Sequence, residues 1–245
     1  MDTAFYTRYG KIIFAAAMIA IGAVHIATQN FPTGLEAVPP DLPARQLLVY
    51  VVGLGLIAGG LMLFADKLGK HASAVLGVIW LMLLGYLHVP AIITNVHAPG
   101  PWTTTAETAG ILSGVFIIAS AYAVRPIIFQ TAARVFFGVA LAILCYQHYL
   151  YLTFIATLVP SWLPFHLFWA WLVAAAFLLS ALSILLGLKT RISSLCLAAM
   201  FFIWVLILHL PRAIGSGNLE AEWTSTFVAL AWGGVSLLMA GAAKD

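Results

Sequence analysis

Apolar runs, each long enough to cross a membrane as a helix, dominate this sequence. Crossing about 30 Å of hydrocarbon takes about 20 helical residues. The predicted spans, bounded by charges, prolines or glycines, are 12–30, 46–65, 72–94, 107–124, 135–157, 166–187, 192–210 and 223–241. With 63% of residues apolar and 8% charged, a water-soluble surface is excluded. The sequence therefore predicts an all-α polytopic membrane protein with eight transmembrane helices that contact the lipid bilayer.

The basic residues of the predicted loops fall unevenly on the two sides of the membrane. Two of the eleven, Arg45 and Arg212, lie on one side, and the other nine lie on the opposite side. Those nine are Arg8, Lys11, Lys67, Lys70, Arg125, Arg134, Lys189, Arg191 and Lys244. Because cytoplasmic loops are richer in Lys and Arg, we predict an inner (plasma) membrane location with both termini cytoplasmic. The bases do not cluster on one domain, so no nucleic-acid partner is expected.

Three loop-proximal motifs recur at a fixed offset of 121 residues, without a gap. The first copies are Val38-Pro39-x-x-Leu42-Pro43, Leu87-His88-x-Pro90 and Trp102-Thr103-x-Thr105; the second are Val159-Pro160-x-x-Leu163-Pro164, Leu208-His209-x-Pro211 and Trp223-Thr224-x-Thr226. This repetition predicts two four-helix repeats, 1–124 and 125–245. An even number of spans makes both repeats enter the membrane in the same direction, so they are parallel.

Four histidines are predicted at one level, roughly 20 to 25 Å up the four outward-running helices. They are His25, His88, His148 and His209. Imidazole binds metals and titrates near neutral pH. The functional hypothesis is therefore a histidine-lined pocket in the outer half of the bilayer for a quinone-like ligand, a haem or a metal, in which His88 and His209 exchange protons and His25 and His148 are candidate metal ligands. The alternative is that these rings hydrogen-bond backbone carbonyls freed by nearby prolines.

Opposite charges and aromatic rings lie near the same outer boundary. Arg212 and Glu222 flank one short loop, where they either anchor an anionic or carbonyl-bearing head group or pin the loop. Trp162 and Trp223 are placed to contact a flat ligand, although an aromatic belt at the interface explains the same positions. These four residues complete the predicted ligand-binding set.

The second half, from Val159 through Ala240, resembles the DoxX-like family of small polytopic membrane proteins. The resemblance rests on the Val159–Pro164 loop, the aromatic start of the sixth span, the Leu208–Arg212 motif, and Glu222-Trp223-Thr224 before Ala229-Leu230-Ala231. Family members usually consist of one four-helix unit. The first half looks like a diverged copy that keeps His88, Pro90 and Trp102 and lacks the Arg and the Glu.

The resemblance implies a subunit of a quinone-linked or other membrane redox complex, and it carries over to His209, Arg212, Glu222 and Trp223 only. We therefore predict an integral membrane subunit that binds its ligand in the histidine-lined pocket and associates with other membrane proteins. Whether it is a quinone-linked oxidoreductase subunit with a catalytic role is left open, because the chain has no motif for carrying electrons onward. The alternative is a non-catalytic structural or assembly subunit of a larger membrane complex.

Overall fold

The structure, a computed structural model, describes residues 3–36, 38–217 and 220–244; the chain ends themselves, at Met1, Asp2 and Asp245, fall outside it. The helices are α1 (Thr3–Thr28), α2 (Arg45–Phe64), α3 (Gly69–Thr94), α4 (Pro99–Ser120), α5 (Pro126–Leu150), α6 (Leu152–Leu158), α7 (His166–Leu186), α8 (Thr190–Ser216) and α9 (Ala221–Ala242). A single 3₁₀ turn, Asp66–Leu68, precedes α3. The described residues contain no strand, so the all-α prediction is confirmed for them.

Seven of these helices are long and apolar enough to cross a membrane, which agrees with a multi-pass membrane protein. The remaining long helix, α4, does not reach that hydropathy. Its first turns hold Thr103, Thr104, Thr105 and Glu107. It begins at Pro99, eight residues before the predicted span 107–124, because proline is well suited to the first helical turn.

The eight long helices pack as a ring. Successive neighbours around it are α1, α2, α3, α4, α5, α7, α8 and α9, and α9 returns to pack against α1. Helices α4 and α9 also touch each other across the ring. The first helix of each half therefore packs against the last helix of the other half, so the two halves share two extensive helix interfaces.

Helices α3 and α8 share an uncommon irregularity. Each contains a five-residue π-helical segment, Leu84–His88 in α3 and Val205–His209 in α8. The two segments are offset by 121 residues, the same offset as the sequence motifs. Each ends at a histidine two residues before a proline, whose missing N–H removes one ladder hydrogen bond. A wide turn of this kind is frequently found at functional sites.

Backbone contact at glycines holds α1 and α9 close together. A Cβ atom added to Gly10 would lie 2.9 Å from the Gly234 carbonyl oxygen, and one added to Gly234 would lie 2.8 Å from the Phe14 nitrogen. Small residues are the usual basis of close helix packing in lipid. Large side chains fill the core behind this contact, and Phe14, Trp80, Phe137 and Trp232 are all fully buried.

Candidate functional site

A cavity of about 690 Å³ lies where the second half meets α4 of the first half. The polar residues lining it are Thr103 and Glu107 of α4, Gln147 and His148 of α5, Tyr151, His209 of α8, and Ser225 of α9. Aromatic and aliphatic side chains form the rest of the wall, among them Phe154, Phe177, Phe201 and Trp232. We call this the His148–His209 cavity. A mostly apolar wall with a few convergent polar groups is typical of small-molecule sites.

A second, smaller cavity of about 210 Å³ shares part of this wall. The residues common to both cavities are His148, Ile155, Phe177, Phe201 and His209. The smaller space also contacts two indole rings, Trp169 and Trp204, whose centroids are 6.3 Å apart in an edge-on arrangement. The two imidazoles are therefore the polar groups at the junction between the two spaces.

The ring of His148 is held in one orientation. Its Nδ1 lies 3.0 Å from the Leu144 carbonyl oxygen, one turn earlier in α5. A carbonyl can only accept, so Nδ1 carries the hydrogen and Nε2 of the neutral ring has a lone pair. Phe177 packs edge-on against the imidazole with ring centroids 5.0 Å apart. The orientation presents a hydrogen-bond acceptor, Nε2, that has no partner among the described residues.

The surroundings of His209 differ from those of its counterpart in the first half. His88 Nε2 lies 3.0 Å from the Thr108 hydroxyl oxygen, and both side chains are buried. The residue 121 positions after Thr108 is Ala229, which lines the His148–His209 cavity and has no hydroxyl group. Within the described residues, the His209 ring makes no hydrogen bond. The second-half imidazole is thus free to meet a ligand.

Glu107 is the site residue that the sequence interpretation missed. It is the first residue of the predicted span 107–124, whereas in the structure it lies two turns inside α4 and lines the cavity. None of the described residues hydrogen-bonds its carboxyl group. An ionisable side chain facing a cavity in a membrane protein is a functional candidate by default. The polar stretch Thr103-Thr104-Thr105 before it is the signal that could have moved the predicted start of the helix.

Gln147 and Trp232 add buried polar atoms to the cavity wall. The Gln147 Nε2 donates to the Pro99 carbonyl oxygen at 3.1 Å, which identifies the other amide atom as the oxygen. That oxygen and the Trp232 indole nitrogen are buried without hydrogen-bond partners. Unpaired buried polar atoms are uncommon in folded proteins. Two of these atoms in the described residues therefore belong to side chains that line this cavity.

The first-half histidines have partners of their own, and neither lines the His148–His209 cavity. His25 Nδ1 donates to the Ile21 carbonyl oxygen at 2.9 Å, and its Nε2 lies 3.1 Å from Glu36 Oε2. His25 and Glu36 both have 0% exposure. Both ring nitrogens of His25 are therefore engaged. His148 and His209 line one cavity, whereas His25 and His88 make separate contacts elsewhere.

The other predicted ligand-binding residues lie outside the described lining of that cavity. Arg212 Nη2 donates to Glu222 Oε1 at 2.6 Å, forming an ion pair that joins the end of α8 to the start of α9. The ring of Trp223 packs on that of Phe227, with centroids 5.5 Å apart. The Trp162 side chain is 67% exposed. The geometry of these residues accords with loop anchoring and an interfacial position.

Metal-ligating side chains are not gathered at one point. In the parts of the chain that the structure describes, no three His, Cys, Asp or Glu residues are grouped as a metal ion would need. His25 has both nitrogens occupied, which leaves His148 without the partner predicted for it. The donor set of the cavity fits an organic ligand better than a metal.

Comparison with known proteins gives no family for this chain. No family model matches the sequence, and no curated protein or solved structure matches it at a significant level.

Proposed function

We propose that this chain is an integral membrane subunit that binds a quinone-class ligand in the His148–His209 cavity and works within a membrane redox complex. The observation that carries this proposal is one shared cavity lined by two imidazoles and the Glu107 carboxyl group and otherwise walled by aromatic and aliphatic side chains. Such a lining offers stacking surfaces for a flat ring and polar atoms for its oxygens. In this proposal His209 exchanges protons with the oxygens of the quinone ring.

The size of the cavity supports this ligand class. About 690 Å³ falls within the range of roughly 300–1,000 Å³ that holds drug-sized molecules. A six-membered ring with small substituents fits within that volume. The apolar share of the wall favours a ligand that arrives from the bilayer, where quinones dissolve.

Electron transfer needs a partner in this proposal. The chain itself has no cofactor-binding motif, so its role is to bind the ligand and exchange protons while a second subunit carries electrons. The resemblance of residues 159–240 to the DoxX-like family, whose members look like partners in membrane redox complexes, supports this assignment. We propose membership of that family on the motifs given above.

The same proposal includes the predicted topology. Eight spans arranged as two parallel four-helix repeats, 1–124 and 125–245, agree with the matching π segments of α3 and α8 and with the equivalent neighbours of α1 and α5. The basic residues Arg8 and Lys11 line a space with the end of α4 and with Leu238 of α9. This grouping supports termini on one side, the cytoplasmic side of the inner membrane.

Lipid extraction of the purified protein tests the ligand assignment. We expect protein isolated in mild detergent to contain quinone close to stoichiometric amount, detected by chromatography and absorbance of the extract. Ala229→Phe, which fills the cavity, is expected to lose most of that quinone. Ala175→Phe, the same change at an exposed position of α7, is the matched control and retains it. A melting temperature for each variant separates ligand loss from unfolding.

Equal quinone content in both variants would contradict the assignment of the ligand to the His148–His209 cavity. Absence of quinone from the unchanged protein, combined with recovery of another membrane protein in constant ratio, would favour the alternative of a structural or assembly subunit.

A further inference from the structure

We infer that the His148–His209 cavity selects the reduced, hydroxyl-bearing form of its ligand, a hydroquinone, over the oxidised quinone. This inference rests on the proposed function, because it specifies the chemical form of the ligand in the same cavity. It depends on which hydrogens of the polar wall are still available to a ligand.

Three side chains of the wall have already used their donor hydrogen within the protein. His148 Nδ1 donates to the Leu144 carbonyl oxygen at 3.0 Å, and the hydroxyl groups of Thr103 and Ser225 donate to the carbonyl oxygens four residues earlier, at 3.3 Å and 2.9 Å. An imidazole or hydroxyl group has one such hydrogen when neutral. Toward the cavity these three groups therefore present lone pairs.

Glu107 adds acceptors to the same wall. The Glu107 carboxyl group has acceptor capacity in either protonation state. Acceptors therefore outnumber donors in the polar wall.

The donors that remain suit a hydroxyl group as well as they suit a carbonyl. They are the Tyr151 phenol, the His209 ring and, when it is protonated, the Glu107 carboxyl group. A hydroquinone hydroxyl can accept from one of these groups and donate to Nε2 of His148 at the same time. A quinone carbonyl can only accept, so it leaves the acceptors of the wall unpaired.

Cationic side chains, which would favour a carbonyl oxygen, do not line this cavity in the described part of the chain. The nearest candidate from the sequence, Arg212, donates to Glu222 instead. A buried acceptor that is left unpaired lowers ligand affinity by about fivefold to a hundredfold. The expected preference for the hydroquinone is therefore at least about fivefold.

Anaerobic calorimetric titration of the full chain in detergent, stripped of bound lipid, tests this preference. The probes are trimethylhydroquinone, trimethyl-1,4-benzoquinone and the dimethyl ether of the hydroquinone, which keeps the substituted ring but has no O–H. We expect the hydroquinone to bind at least about fivefold more tightly than either of the others. Equal binding of hydroquinone and quinone, tighter binding of the quinone, or equal binding of hydroquinone and ether would overturn the inference while leaving a quinone-class site.

Failure of all three probes to bind would remove the proposed function and the inference together. His148→Phe removes the fixed acceptor and keeps an aromatic ring, and we expect it to lower the hydroquinone-to-quinone preference to less than about threefold through loss of hydroquinone affinity. His97→Phe, at an exposed histidine in the loop after α3, is the control and keeps the full preference. An unchanged preference in His148→Phe would also overturn the inference.

Discussion

His88 and His209 occupy equivalent positions at the ends of matching π segments, but their surroundings differ by one hydroxyl group. In the first half Thr108 hydrogen-bonds His88, whereas the corresponding residue in the second half is Ala229 and His209 lines a cavity. His25 and Glu36 pair in the first half, and the residues 121 positions later are Tyr146 and Thr157. The comparison teaches that similar helix frameworks can hold polar side chains in closed pairs or present them to a ligand.

Removing the carboxyl group of Glu36 is expected to have the largest effect, because it leaves the fully buried His25 ring without its partner. We expect Glu36→Leu to lower the free energy of unfolding by about 3–5 kcal/mol, measured by denaturant titration in micelles. Glu36→Gln keeps an oxygen that can accept a hydrogen bond from His25, so its free energy of unfolding should fall by clearly less than that of Glu36→Leu. A fall of less than about 1 kcal/mol in the free energy of unfolding of Glu36→Leu would show that the His25–Glu36 pair contributes little to stability.

Where the two halves meet, Gly110 of α4 gives space to the buried Trp232. A Cβ atom on Gly110 would overlap the Trp232 indole ring. We expect Gly110→Ala to destabilise the protein by about 1–3 kcal/mol, measured as a lower melting temperature. Gly77→Ala is the control in α3, because its Cβ would lie 3.6 Å from Val115 Cγ1, an ordinary contact. Equal melting temperatures for the two alanine variants would contradict the prediction that the space at Gly110 is needed for Trp232.

Thr108→Val removes the hydroxyl group that hydrogen-bonds His88, with little change in side-chain shape. Loss of the hydroxyl group leaves the buried imidazole nitrogen unpaired, so we expect a loss of about 1–2 kcal/mol in unfolding free energy. Thr226→Val, also in a buried position, removes only a bond to the Glu222 carbonyl oxygen of its own helix and serves as the control. Equal losses in the two variants would mean that the Thr108–His88 bond has no special role.

Ala229→Thr makes the second half resemble the first. Its hydroxyl group is expected to pair with His209, raising unfolding free energy by about 0.5–1 kcal/mol while lowering quinone retention. In Ala229→Val the new side chain has nearly the same shape as threonine but no hydroxyl group, so this variant should show no such gain in stability. Unfolding curves and extracted quinone are measured for both variants. Identical results for Ala229→Thr and Ala229→Val would show that the hydroxyl group at this position does not pair with His209.

The helices were predictable from sequence because an apolar run of sufficient length carries its own signal. The span 166–187 matches α7, His166–Leu186. The starts of α4 and α5 were placed too late, since their first turns combine proline with polar or charged residues and a search for apolar runs omits them. Local hydropathy identifies the part of a helix in the membrane, while capping chemistry determines where that helix begins.

The site was less accessible from sequence, because its contacts join residues that are distant along the chain. The depth argument placed four histidines at one level, and the fold brings only His148 and His209 to the cavity. The partner of His25 is Glu36, eleven residues later in the loop after α1. Glu107 reaches the cavity because α4 packs against α5 of the other half. Neither relation follows from the residues near each histidine.

The ring of helices has a consequence for how the protein is made. Helix α1 leaves the ribosome before the other helices of the ring, but it packs most extensively against α9, which is synthesised after the other seven. Contacts between distant parts of a chain form late, since the long intervening segment must be ordered first. During biosynthesis the face of α1 that packs on α9 therefore stays uncovered by its partner until α9 inserts, and only then does the ring close.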